Sequence, residues 1–400
     1  MQQILSRVEM LKLLEKLGLS TSETKILKRV ALLSASLSII LIISLYFYNS
    51  FANKPNSIKL RNHQIDTTKV VDIDIDANLD VARRSMQSND YERAIRHLQR
   101  VIELRKDDFS TQSLLADAYL EIGDYKNAIT TYEKLSETTL PESLLSRICA
   151  RKAIALYYQG EKSVSVEALK QCIELFPANP ESFCFLGQIQ ASQEIQSQTA
   201  LDNLNKAINL DSNYVEAWYQ LARYNMETKQ YLKARELLLK AIEINPLHGK
   251  SQSRLGMVYY YLHNFDLAKK AYQTALAINP EDFNTRYNLG EVYYADNDTE
   301  RAMKQFKQTL NYNPGHVEAN FKLGLLLLAN NMVKEAIFHF EQANHNKKND
   351  PRILIQLAIS YERISEKKRA LSIYNSVIEI DPLNIIAQQK IKYLTQELNQ

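Results

Sequence analysis

The sequence predicts an all-α solenoid, a stack of two-helix units, preceded by one transmembrane helix. Three observations predict it. Leu255-Gly256, Leu289-Gly290 and Leu323-Gly324 stand 34 residues apart, and each Gly is followed twelve residues later by an Ala: Ala268, Ala302 and Ala336. With that Gly as position 8 of a 34-residue frame, position 8 is Ala or Gly in nine successive windows, from Ala82 to Ala358. Pro177, Pro246, Pro280, Pro314 and Pro382 share position 32, just after helical stretches that proline stops. A period of this length marks one supersecondary unit that buries its apolar face only against its neighbours.

The elements follow in chain order. In residues 1–29, Ile4, Val8, Leu11 and Leu14 share an apolar face opposite Glu9, Lys12 and Lys16, and Gly18 ends that helix before Ser20-x-x-Glu23 caps the next. This is an amphipathic cytoplasmic segment, resting on the inner leaflet or serving a cytoplasmic partner. Residues 30–49, from Val30 to Asn49, form a charge-free run able to cross a hydrocarbon core of roughly 30 Å. Tyr46, Phe47 and Tyr48 suit the far interface, and Lys25, Lys28 and Arg29 hold the near flank in the cytoplasm. A cleaved signal peptide ending at Ser50-Phe51-Ala52 competes with this, but the preceding segment and the apolar run are long for one. The absence of a Cys just after the run argues against lipid attachment. Residues 50–74 read as a linker.

Nine repeats are expected at 75–108, 109–142, 146–179, 180–214, 215–248, 249–282, 283–316, 317–350 and 351–384. Position 20 is Ala in eight of them and Ser165 in the third, with Ala200 displaced by one inserted residue. Small residues at positions 8 and 20 let the two helices of a hairpin approach. Bulky residues at position 11 (Tyr119, Tyr259, Tyr293, Tyr361) and position 24 (Tyr132, Tyr272, Phe306, Phe340, Tyr374) fill the space beside them. Polar turns such as Asn89-Asp90 and Gly123-Asp124 join the helices. Residues 385–400, with Ile386, Ile391 and Leu394, read as a closing amphipathic helix.

Trp218…Leu221-Ala222…Ala234…Ala241…Pro246 resembles the tetratricopeptide repeat signature, and about 310 of the 400 residues follow it. The resemblance implies a right-handed superhelix of antiparallel helix pairs whose first helices line a concave groove for a peptide or partner helix. Ser212 and Lys348 replace the proline, and Ser143 to Leu145 are three extra residues. These departures are expected to bend or loosen the stack locally. The family's carboxylate clamp finds only Asn288 and Lys322 in place, with Ser253, Met257 and Glu318 at its other positions, and the asparagine ladder of glycosyltransferase-linked members survives only at Asn288.

The remaining chemistry is read by exclusion. Residues 1–29 hold six Lys and Arg against three Asp and Glu, which accounts for the net charge of +3 and leaves the rest balanced. No basic stripe is concentrated in any repeat, so nucleic acid is not an expected partner. An odd count of three cysteines without metal spacing argues against a disulfide framework or a zinc site. Cys149 and Cys172 read as core residues; Cys172 and Cys184 could approach each other between neighbouring repeats, where an exported location would permit a bond, and the sequence leaves open whether they pair. With no Gly-rich phosphate loop, no HExxH and no partnered nucleophile, no catalytic residue, metal, cofactor or small-molecule substrate is expected.

Positions 2, 5, 9, 12 and 13 share a helical face distinct from the packing face. In repeats five to eight it displays the expected groove: Tyr219, Arg223, Tyr260, Tyr261, Tyr287, Asn288, Tyr294, Phe321, Leu325 and Leu328. Aromatic residues on an exposed concave face point to binding. The expected function is that of a non-catalytic scaffold or adaptor, single-pass in the inner membrane, with the array in the periplasm. It would bind protein segments or helices of envelope proteins in a pilus, secretion or maturation complex. The alternative is a carbohydrate-handling subunit of polysaccharide synthesis or export, because tyrosines also stack on sugars.

Overall fold

The computed structural model describes residues 67–88, 90–194 and 196–399, and within them every regular element is an α-helix. The expected cytoplasmic segment and the apolar run Val30 to Asn49 lie outside the described residues. None of the described helices is long and apolar enough to cross a membrane.

Repeat one pairs α1 (Thr67–Gln87) with α2 (Tyr91–Leu104). Repeat two pairs α3 (Phe109–Glu121) with α4 (Tyr125–Ser136), and repeat three α5 (Glu142–Gln159) with α6 (Lys162–Leu175). Then come α7 (Pro180–Gln193) with α8 (Gln198–Leu210), α9 (Val215–Glu227) with α10 (Tyr231–Ile244), and α11 (Gly249–Tyr261) with α12 (Phe265–Ile278). The last pairs are α13 (Phe283–Ala295) with α14 (Thr299–Tyr312), α15 (Val317–Ala329) with α16 (Val333–Asn346), and α17 (Pro351–Arg363) with α18 (Lys367–Ile380). Helix α19 (Ile385–Leu398) closes the stack, burying Ala387 and Leu394. The first helix begins at Thr67, inside the stretch expected as linker.

Each helix packs on its hairpin partner and on the next repeat; first helices of most adjacent repeats also touch one another, whereas second helices make no comparable contact. First helices therefore lie on the inner, concave side of the stack. The hairpin crossing explains the two small positions. A Cβ added to Gly256, Gly290 or Gly324 would sit 2.8, 2.6 or 2.7 Å from the ring of Tyr272, Phe306 or Phe340, the position 24 aromatic of the same repeat. Those rings are fully buried, as are Tyr132 and Tyr374.

The turn between the two helices has a requirement that composition conceals. Position 15 has positive φ at Gly123, Gly160, Lys229, His263, Asn297, Asn331 and Ser365. Only two of these are Gly, so five turns hold a side chain in the left-handed region. The next residue caps the second helix, and Asp124 and Asp298 at that place accept the backbone N–H of Asn127 and Arg301.

Two expected weak points are structured. The three extra residues Ser143 to Leu145 are absorbed into α5, which starts at Glu142 and runs 18 residues, so the insertion lengthens a helix instead of loosening the stack. Where Lys348 replaces proline, Asn349 turns the chain at φ 65°, the Asp350 side chain caps α17, and Pro351 takes its first turn.

The two cysteines read from sequence as core residues are paired with each other. Cys149 and Cys172 form a disulfide across the hairpin of repeat three, with Cα atoms 5.8 Å apart, and Cys184 is the free, buried thiol. Positions 4 and 27 face each other within one hairpin, so the close intra-repeat neighbour takes the bond in place of the next repeat's Cys184.

Candidate functional site

The concave face divides the ten groove residues named from sequence. Tyr261 and Tyr294 are the most open, at 48% and 42% exposure. Arg223, Tyr260, Tyr287, Asn288, Phe321 and Leu325 are half-buried. Tyr219 and Leu328, expected on the open face, are buried at 8% and 5%. Tyr219 lies edge-on against the His248 ring, 5.4 Å away, and packs with Ala222 and Leu255. Leu328 joins the core, and Arg363 of the following repeat donates to its carbonyl at 3.0 Å. Each is covered in part by the following repeat, Tyr219 near the start of its helix by Leu255 and Leu328 near the end of its helix by Arg363, contacts that one helical wheel cannot show.

Charge on this face is answered across repeat boundaries. Asp117 pairs with Arg147 at 2.8 Å, Glu291 with Lys322 at 2.9 Å, and Glu318 with Arg352 at 3.0 Å. Arg151 of α5 reaches forward to Glu181 of α7 at 2.6 Å. Burial raises the Glu181 carboxyl pKa, and the Arg151 guanidinium opposes that shift. Between the first helices of repeats six and seven the link is a hydroxyl contact from Ser253 to Thr285 at 2.6 Å, the ion pair of these repeats, Lys269 with Asp296 at 2.7 Å, starting from the second helix. The middle of the expected groove is thus aromatic, with ion-paired rungs beyond it.

The aromatic contacts are specific. Lys322 lies over the Tyr294 ring at 4.8 Å, and Arg352 over Phe321 at 5.4 Å. Tyr287 stands 4.9 Å from the His316 ring and 5.6 Å from Phe306. Burial, then the Glu291 and Glu318 carboxylates, hold its phenol well above the ordinary range, so Tyr287 stays protonated. The structure thus links Tyr287, Tyr294, Phe321 and Lys322 in one neighbourhood, while Tyr260 and Tyr261 form another with Phe265 and Tyr231.

A third neighbourhood lies outside repeats five to eight, where the groove was expected. Tyr125, Tyr157, Tyr158 and Phe185 form a ring cluster with centroids 5.4 to 5.9 Å apart, and Tyr158 is 49% exposed. Lys162 sits over Tyr157 at 5.6 Å. Frame positions 12 and 13 at Tyr157 and Tyr158 are the available signal, the same places that hold Tyr260 and Tyr261.

A cavity of about 580 Å³ opens where α16, α17 and α18 meet, lined by Glu341, His345, Lys348, Leu357, Tyr361 and Arg369. Among the described residues no group of three or more His, Cys, Asp or Glu side chains is placed to hold a metal ion. The arrangement offers stacking surfaces, hydrogen-bond donors and paired charges.

Comparison with known proteins agrees with this geometry. Family models described as tetratricopeptide repeat match residues 85–151, 215–248, 247–314 and 295–354, together more than half of the chain. The chain is 30% identical over 146 residues to anaphase-promoting complex subunit 3 of Schizosaccharomyces pombe, covering 36% of this chain and 21% of that protein. It is 23% identical over 223 residues to Hsp70-Hsp90 organizing protein 3 of Arabidopsis thaliana, covering 47% and 39%. The chain therefore spans well under half the length of these curated relatives. Among solved structures, the crystal structure of the APC/C hetero-tetramer Cut9-Hcn1 superposes with a TM-score of 0.55 at 18% identity, covering 76% of this chain and 59% of that one, a likeness of fold.

Proposed function

This chain belongs to the tetratricopeptide repeat family, and from that premise we propose that it is a non-catalytic scaffold whose concave face holds segments of partner proteins. One observation carries the reading. The charges of the concave face are largely consumed in inter-repeat pairs, yet Tyr158, Tyr261 and Tyr294 remain about half exposed there. Large rings left open beside neutralised charge suit an apolar or aromatic protein segment.

The proposal includes place. The charge-free run Val30 to Asn49 anchors the chain in the inner membrane with the array exported, where it serves a cell-envelope assembly. The Cys149–Cys172 disulfide supports this, because such bonds persist in oxidising compartments. Tethering confines the array to a thin layer and raises the effective concentration of its partners there.

Site-specific photo-crosslinking in native membranes tests both parts. A crosslinker at Tyr294 or Leu325 is expected to capture protein, while one at Leu239 on a second helix captures none. Equal capture from both faces defeats the groove reading. A periplasm-dependent reporter fused after Gln400 that stays inactive defeats the exported placement. Capture of glycan alone at the groove positions favours the carbohydrate-handling alternative, for which the same open rings are the motivating feature.

A further inference from the structure

One contact recurs along the groove rim: position 17 of a repeat, at the start of its second helix, meets position 13 of the next. At the end of the array it is an ion pair, Lys367 to Glu397 at 2.7 Å. Twice it is a tyrosine stack. Tyr125 of repeat two lies on Tyr158 of repeat three, with centroids 5.9 Å apart and planes at 20°, and Tyr231 of repeat five lies on Tyr261 of repeat six at 4.9 Å and 17°. In each case the preceding residue adds a third ring edge-on: Tyr157 at 5.5 Å and Tyr260 at 5.7 Å. The same three-ring unit is therefore built twice, three repeats apart, on one rim.

The fold does not require it. Lys367 and Glu397 serve the same contact with charge, and the outer rings Tyr158 and Tyr261 stay about half exposed. An open ring backed by a stacked partner is a rigid platform for another planar or prolyl group.

We propose that the two stacks are paired docking points for a single acidic, extended peptide segment carrying two aromatic or proline side chains about nine residues apart. This rests on the reading that the groove holds protein segments. Packed helices lie about 8–10 Å apart, so three repeats separate the stacks by about 30 Å. An extended chain covers that in about nine residues at 3.3 Å each. A helix would need about twenty, longer than the ordinary helix of about eleven or twelve.

The sign of the segment follows from the charges between the stacks. On the first helices there Glu181 pairs with Arg151, Glu216 bonds Gln220 and His248, and Glu227 pairs with Arg223, while Glu161 and Glu194 at the turns are exposed without an ion pair among the described residues. Lys162 beside the first stack, and Lys229, Lys250 and Arg254 between the two, have no carboxylate partner among the described residues, so unpaired cations outnumber unpaired carboxylates there. The uncompensated charge is positive, which an acidic segment complements.

The test uses the full-length chain in detergent and fluorescein-labelled synthetic peptides rich in Asp and Ser, with two Trp residues nine apart, five apart, or one Trp only. Fluorescence anisotropy is expected to rank the nine-spaced peptide tightest. Tyr158→Ala and Tyr261→Ala should each weaken it roughly tenfold, while Tyr158→Phe and Tyr261→Phe, which keep the stack, should retain binding. Circular dichroism melts guard against unfolding as the cause. Equal affinity for all spacings, or indifference to both alanine variants, overturns the proposal. If Phe321→Ala and Leu325→Ala abolish peptide binding while the two tyrosine variants do not, groove binding of protein stands and the paired anchors fall. If the peptides do not bind but a xylo- or malto-oligosaccharide does, and loses affinity in the tyrosine variants, both readings fall.

Discussion

A Cβ placed on Gly290 would lie 2.6 Å from Cε1 of Phe306, the tightest such approach in the array. The missing methyl and the ring sixteen residues later are two halves of one packing decision. Gly290→Ala should therefore cost about 1–3 kcal/mol by overpacking. Adding Phe306→Leu should recover part of it, because repeats one, three and five pair Ala with Leu at these positions. Ala does face Tyr in repeats two and nine, where the hydroxyls of Tyr132 and Tyr374 are held by Asp117 and Glu362. A double-mutant cycle in urea checks the coupling, and additive losses would refute it.

Position 15 offers the opposite change. Lys229 and His263 sit at φ 60° and 58°, where a Cβ is costly and glycine is not. Lys229→Gly and His263→Gly should each raise stability by up to about 1 kcal/mol. Gly123→Ala, at φ 83°, should lower it by a similar amount. Denaturation midpoints that move the other way would show that these turns relax out of the left-handed region.

Repeat three should respond to reduction. Cutting the Cys149–Cys172 bond, which closes 23 residues, should destabilise that hairpin by about 2–4 kcal/mol. Under non-reducing conditions only Cys184 should label, and only on unfolding, since burial shields it and pushes its thiol pKa up. Rapid labelling of the native chain at any cysteine would contradict this assignment.

His316 should give the array an acid sensitivity. Its Nδ1 accepts the backbone N–H of Ala319 at 3.1 Å, capping α15, so the ring must be unprotonated there. Burial lowers its pKa below the ordinary 6.5, with Glu318 opposing. The unfolded chain then binds the proton more readily, so this stability is present above about pH 6.5 and is lost as pH falls toward the folded value. His316→Asn keeps a capping oxygen without titrating. It should flatten the fall in melting temperature between pH 7 and 5, and an unchanged slope would remove His316 as the cause.

Leu328→Ala and Leu325→Ala should separate stability from binding. Leu328 is core and its truncation should cost about 2–5 kcal/mol. Leu325 is half-buried, and its loss should register first in partner crosslinking. Equal melting losses would mean that both serve the core.

The frame legible in the sequence placed the glycines and rings because hairpin packing is local, repeating every 34 residues with Gly256, Gly290 and Gly324. What it could not place depends on contacts between units. Tyr219 and Leu328 are covered by the following repeat, and Arg151 finds Glu181 thirty residues on, across a boundary. The turn at position 15 was hidden for a different reason: Lys229 and His263 carry no turn signature, so only the backbone angle reveals the strain. The bond between Cys149 and Cys172 is not legible because spacing along the chain says little about which side chains face across a hairpin.

The inter-repeat pairs give the array an order as well as a shape. Removing repeat eight in frame would set Glu291 opposite Gln356 and leave Arg352 facing Asn284, so Glu291 would lose its cation and Arg352 its inter-repeat carboxylate. Units that look interchangeable by their small residues and rings are individually addressed by these charges. Gain or loss of a whole repeat is thereby penalised at its junctions.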